Sequence, residues 1–149
     1  MTNKTTVTSV VSFFDFSDFH KELIQCEGII ARCGMELTEE QIWHLHQHHC
    51  EALKQSGRIE FGENSVKRLI SAFCSSQYIT GDQLEETIAD LTDIFYHWKN
   101  LTKEQISDEE LTSAMVSFFN GKGEGSVIKM QDLTASDIVE LCNGKEAER

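Results

Sequence analysis

Apolar positions along this chain fall into helical runs, and the runs open on one recurring hexad. It consists of an apolar residue, Thr or Ser, two spacers, then Gln, Glu or Asp, and another apolar residue. The copies run from Leu37 to Ile42, Ile79 to Leu84, Leu101 to Ile106, Ile106 to Leu111 and Leu133 to Ile138. Each copy joins an N-capping hydroxyl, a side chain at N3 that reaches back to the cap, and an apolar staple from N′ to N4. Helix starts are therefore predicted at Thr38, Thr80, Thr102, Ser107 and Thr134. Their spacing is irregular, which marks them as helix starts and not as a copied unit.

Between these starts the apolar pattern sets the extents. The run Ser12-Phe13-Phe14-Asp15-Phe16 leads into a first helix ending near Gly34, a residue suited to a left-handed stop. The second helix follows Thr38 and stops near Gly57. A short extended segment, Arg58–Phe61, passes through Gly62 into a third helix with Val66, Leu69, Ile70 and Phe73 on its face. The fourth carries Leu84, Ile88, Leu91, Phe95 and Trp98 at alternating steps of four and three, the seam of a bundle. The fifth runs from Asp108 to Phe119, and a glycine-rich loop, Asn120–Gly125, separates it from a C-terminal helical region ending near Gly144. The pattern predicts an all-α fold, a bundle of about six helices. One helical domain is expected over 13–149, after a flexible Thr/Ser/Val-rich arm over 1–12.

Composition narrows the function classes. The chain carries 25 acidic against 13 basic residues, a net charge of −12. That field repels phosphate backbones and anionic headgroups, so neither nucleic acid nor a membrane surface is an expected partner. Prolines are absent, as suits uninterrupted helices. No apolar stretch nears the roughly 18 residues of a membrane span, and no basic-then-apolar leader opens the chain. The five cysteines, Cys26, Cys33, Cys50, Cys74 and Cys142, form no C-x-x-C pair. Cys26 and Cys33, two turns apart on one face, read as small core residues. A reducing cytoplasmic location is the simplest expectation.

The densest chemistry is the run His44-Leu45-His46-Gln47-His48-His49-Cys50 on the second helix. At about 100° per residue, His46 and His49 fall with Ile42, Leu45 and Leu53 on the apolar face, as core or half-buried histidines. His44 and His48 point the opposite way with Glu51. These three are the candidate ligand set for zinc or a similar divalent ion, with a plain solvated face as the alternative. No other cofactor is predicted. His46 and Cys50 have the spacing of a base and a nucleophile, but no orienting residue or oxyanion motif accompanies them.

Ser56 to Glu63 resembles the back half of an EF-hand loop, with Gly57 at the turn and Glu63 at the bidentate end. Ala52, Lys54 and Ser56 stand where Asp or Asn is needed, and Asn120 to Gln131 is a poorer match, so calcium is not expected. A degenerate EF-hand-like arrangement and an ordinary helix–turn–helix junction both fit the segment. In Phe95-Tyr96-His97-Trp98, Phe95 and Trp98 belong to the seam, while Tyr96 and His97 are expected off it, as half-exposed contacts for another element of the fold or for another subunit, with packing inside the fold favoured. Phe13 and Phe16 recur at three-residue steps with Phe19 and pack on the core or form a partner strip. Tyr96, His97, Phe13 and Phe16 are thus the candidate interaction residues.

The blocks Leu37 to Gln41, Glu51 to Gly62, Leu69 to Cys74 and Ile106 to Leu111 together resemble a family of small bacterial proteins. That family occurs mainly in anaerobic Gram-positive gut bacteria and is grouped as a domain of unknown function. The resemblance covers about residues 37 to 111 and implies a soluble bacterial cytoplasmic protein, with no activity to carry over. With no catalytic constellation legible, the leading expectation is a non-enzymatic protein-interaction or regulatory helical module, working through a protein partner or self-association. A divalent-metal-binding protein and an enzyme with a site assembled from distant residues are the alternatives.

Overall fold

The structure is a computed structural model that describes residues 16–60 and 64–144. The described residues contain eight helices and no strand. Helix α1 covers 16–24, and α2 Glu27–Arg32. Then follow α3 (Glu39–Ser56), α4 (Ser65–Phe73), α5 (Leu84–Leu101), α6 (Asp108–Asn120), α7 (Val127–Gln131) and α8 (Ala135–Cys142). A single 3₁₀ turn, Gly81–Gln83, runs directly into α5. The fold is all-α as expected. The count rises from six to eight because the first and last helical regions are each broken once.

Three of the five hexads cap helices by side-chain bonds. Thr38 and Thr134 form complete capping boxes with Gln41 and Asp137, and the Ser107 hydroxyl accepts from the Glu110 N–H. At Thr80 the hydroxyl instead donates to the Asp82 carboxylate, and the 3₁₀ turn follows. Thr102 does not start a helix. It is the C-cap of α5, and its hydroxyl donates to the Trp98 carbonyl at 2.9 Å. The bundle seam prevailed there: burying Trp98 and packing Leu101 carries α5 through the would-be cap. Two caps lie outside the hexads, Asn64 at the head of α4 and Ser126 at the head of α7.

Helix α5 is the axis of the molecule, with α3, α4, α6, α7 and α8 all packed on it. Leu84, Ile88, Leu91, Phe95 and Trp98, the residues of the predicted seam, are fully buried. Trp98 also donates its indole N–H to the Met130 carbonyl (3.1 Å), satisfying its one polar atom while tying α7 to the axis. Phe19, Leu23, Cys26 and Ile30 bring α1 and α2 onto the same core. Cys26 is buried as expected, but Cys33 is exposed, because the bend at residues 25–26 takes the end of α2 off the core line.

The glycine-rich segment after α6 is a folded turn. The Gly123 N–H donates to the Phe118 carbonyl, and that of Gly125 to the Phe119 carbonyl. Gly125 adopts φ +77° beneath Tyr78, where an added Cβ would come within 2.6 Å of the tyrosine Cβ. Residues 52–56, which an EF-hand would use to begin its loop, are the last turn of α3. The junction into α4 therefore opens on a helix C-cap, and Arg58–Glu60 has no regular structure. Phe61, Gly62 and Glu63, named in the extended segment and the EF-hand comparison, lie outside the described residues, as do the N-terminal arm and Phe13.

Candidate functional site

Gly57 sets the geometry of the most concentrated polar cluster. At φ 71° it ends α3 in the left-handed conformation, and the Arg58 N–H returns to the Leu53 carbonyl (2.8 Å). The chain reverses, so Glu60 meets His49 two turns back along α3. Tyr96 comes in from α5, and Ser65 from the first turn of α4, which Asn64 caps through the N–H groups of Val66 and Lys67.

These four side chains close on one another. The Tyr96 hydroxyl donates to Glu60 Oε2 at 2.6 Å, and the Ser65 hydroxyl donates to the same oxygen. Glu60 Oε1 accepts from His49 Nε2 at 2.9 Å and from the Ser65 N–H at 3.4 Å. Tyr96 has one proton and gives it to Glu60, so its oxygen, 3.0 Å from His49 Nε2, is an acceptor that shares that nitrogen's one proton with Glu60 Oε1. The network thus places a ring proton on Nε2.

The electrostatics follow from the contacts. Burial alone would push the Glu60 carboxyl up. Hydrogen bonds from His49, Ser65 and Tyr96, with the His49 charge, outweigh it and bring the group down to about 2. Tyr96 moves the other way, because burial and then the Glu60 charge both oppose a phenolate. A carboxylate offers about four acceptor sites. Here each oxygen already accepts two donors, so the cluster is closed on itself. It knots α3, the 58–60 segment, α4 and α5 together. His49 and Glu60 also line a groove of about 530 Å³, with Asp18 and Glu22 from α1 and His46 and Cys50 from α3.

The residues singled out in the sequence are placed as follows. His46 and His49 are buried, as the helical face predicted. His46 sits among Phe16, Phe19 and Trp43, with ring centroids 5.1–5.7 Å away. Its Nε2 is 3.7 Å from Cys50 Sγ. His44 and His48 are partly exposed and reach separate carboxylates of α5, His44 to Glu85 at 3.3 Å and His48 to Asp93 at 3.0 Å. Glu51 accepts from Gln55 (3.2 Å). Among the described residues no group of three or more His, Cys, Asp or Glu side chains is arranged to hold a metal ion.

Tyr96 packs within the fold, against Glu60 and His49, but it is only 2% exposed where half exposure was expected. Helix α5 is covered on more than its seam face, and Tyr96 fills the side toward α3 and α4. His97 is exposed, and Phe16 is half-buried against Trp43 at 4.8 Å. Glu60 and Ser65 were not singled out as partners. No local pattern marks them, since Glu60 stands in a helix-free segment and its partners lie 5, 11 and 36 residues away.

A family model described as a family of unknown function (DUF6323) matches residues 22–147. No curated protein and no solved structure matches the chain.

Proposed function

We propose that this chain, which belongs to the DUF6323 family of unknown function, is a non-enzymatic interaction or regulatory module. The observation that supports this reading is the saturation of Glu60. The buried cluster that, among the described residues, has the composition of an acid–base site has its carboxylate acceptors filled by Ser65, His49 and Tyr96. A general base needs an open acceptor within reach of the proton it takes. This carboxylate has none, and it is held ionised by contacts that join four segments of the fold.

The exposed apolar side chains Ile59, Ile128, Trp43 and Val139 supply contact surface for a protein partner or a second copy. Among the described residues, no helix is long and apolar enough to cross a membrane. A reducing bacterial cytoplasm belongs to the same reading, which suits five cysteines that form no disulfide.

The test is a turnover screen against model esters, amides, phosphoesters and glycosides over about pH 5–8, the range in which a histidine-based site would titrate. The expected result is no turnover above buffer. Turnover that disappears in Tyr96→Phe, with the fold intact by circular dichroism, would overturn the reading.

A further inference from the structure

Two cysteines far apart in sequence meet at the ends of two helices. Cys33 is the C-cap of α2 and Cys74 the C-cap of α4, and these helices pack together. Their sulfurs are 3.8 Å apart across a sequence separation of 41 residues. A disulfide needs about 2.05 Å, a closure on the scale of a small side-chain rotation. Cys33 is exposed and Cys74 buried, so one sulfur can meet an oxidant while the other waits behind it. Cys26 is near but turned away, its sulfur directed to the Lys67 carbonyl and the Ser71 hydroxyl.

We propose that Cys33 and Cys74 are a thiol modification site that a hydroperoxide converts to a disulfide. The Cys33 thiolate attacks the outer oxygen and breaks the O–O bond. Cys33 becomes a sulfenic acid, and the departing hydroxide takes up the proton that the Cys33 thiol gave up and leaves as water (an alkoxide likewise leaves as the alcohol). The Cys74 sulfur then attacks the Cys33 sulfur, the S–O bond breaks, and the departing hydroxide takes the Cys74 proton as a second water. Two thiols lose two electrons and two protons, and the peroxide is reduced. Cys33 is the first nucleophile because it is the accessible sulfur. Burial, then its bond to Cys33, pushes the Cys74 thiol up to about 11, so Cys74 is not the first nucleophile, and its attack on the sulfenic acid rests on the 3.8 Å approach of the two sulfurs. The bond would fasten the α1–α2 arm, which carries Asp18 and Glu22 of the groove, to α4. This inference stands independently of the reading of function above.

The experiment treats the full chain with a small excess of hydrogen peroxide, followed by non-reducing peptide mapping and a thermal melt. The expected product is a linked peptide holding Cys33 and Cys74, formed equally in Cys26→Ser and missing from Cys33→Ser, whose exposed site leaves folding intact. The oxidised wild type should melt about 5–10 °C higher, from loop closure in the unfolded chain, and dithiothreitol should reverse the shift. Peroxide that leaves both thiols free, stops at Cys33 sulfinic acid, or links Cys26 or a second chain instead, would overturn the proposal.

Discussion

Glu60 shows how far a single side chain can depart from what its neighbours in sequence suggest. Between Ile59 and Phe61 it reads as part of an extended piece or of a loop. In the fold it accepts hydrogen bonds from three different helices. The burial of His49 was legible, since helical geometry alone puts it with Ile42 and Leu45. Its partner was not, because contacts across 11 and 36 residues leave no periodic trace. The lowered carboxyl makes a pH prediction. Its folded value, about 2, lies below its ordinary 4.5, so its contribution is fully present above about pH 5 and is lost as pH falls toward 2. With allowance for solvent screening, the loss is on the order of 2 kcal/mol. Urea denaturation at about pH 6 and about pH 3 should show wild type losing more stability on acidification than Glu60→Gln, which has no charge to protonate.

At the scale of elements, capping chemistry and apolar period were written locally and were read correctly where they agreed. Thr38, Ser107 and Thr134 cap helices whose faces begin on cue. Where they disagreed, as at Thr102, packing decided. The segment after α6 was legible only as a glycine-rich loop, because glycine content signals conformational freedom but not what the freedom serves. Here it serves a close approach, as Gly125 lies under Tyr78 in the left-handed region. Gly125→Ala should therefore destabilise by about 2 kcal/mol or more, from backbone strain and overlap with the ring. Gly28 lies inside α2 with nothing within 4 Å of an added Cβ, so Gly28→Ala should stabilise by about 0.5–1 kcal/mol. Thermal melts of the two variants should move in opposite directions. A fall in both would mean that α2 tolerates its glycine for a reason other than propensity.

At the scale of the whole molecule, one central helix gathers the others, and the polar cluster sits where α3, α4 and α5 converge. The fold class followed from the hexads and the α5 seam, which are strong local signals, and the family match extends the recognised stretch to residues 22–147. The candidate site was only half legible: the histidine run drew the eye, yet its two outward members each pair with a different carboxylate of α5, and an inward one anchors the knot. Under the proposed function, this knot holds the fold and performs no chemistry. Groups kept in place for chemistry are commonly held at a cost to stability, so removing them leaves a protein as stable or more so. Groups that knot a fold do the reverse. The most direct measurement is the unfolding free energy of Glu60→Gln, Tyr96→Phe and the double variant near pH 7. Each single change should cost about 1–3 kcal/mol through the donors or acceptors it leaves unmatched, and the double should cost less than the sum because both act on one network. A Glu60→Gln protein as stable as wild type, or more stable, would contradict the account.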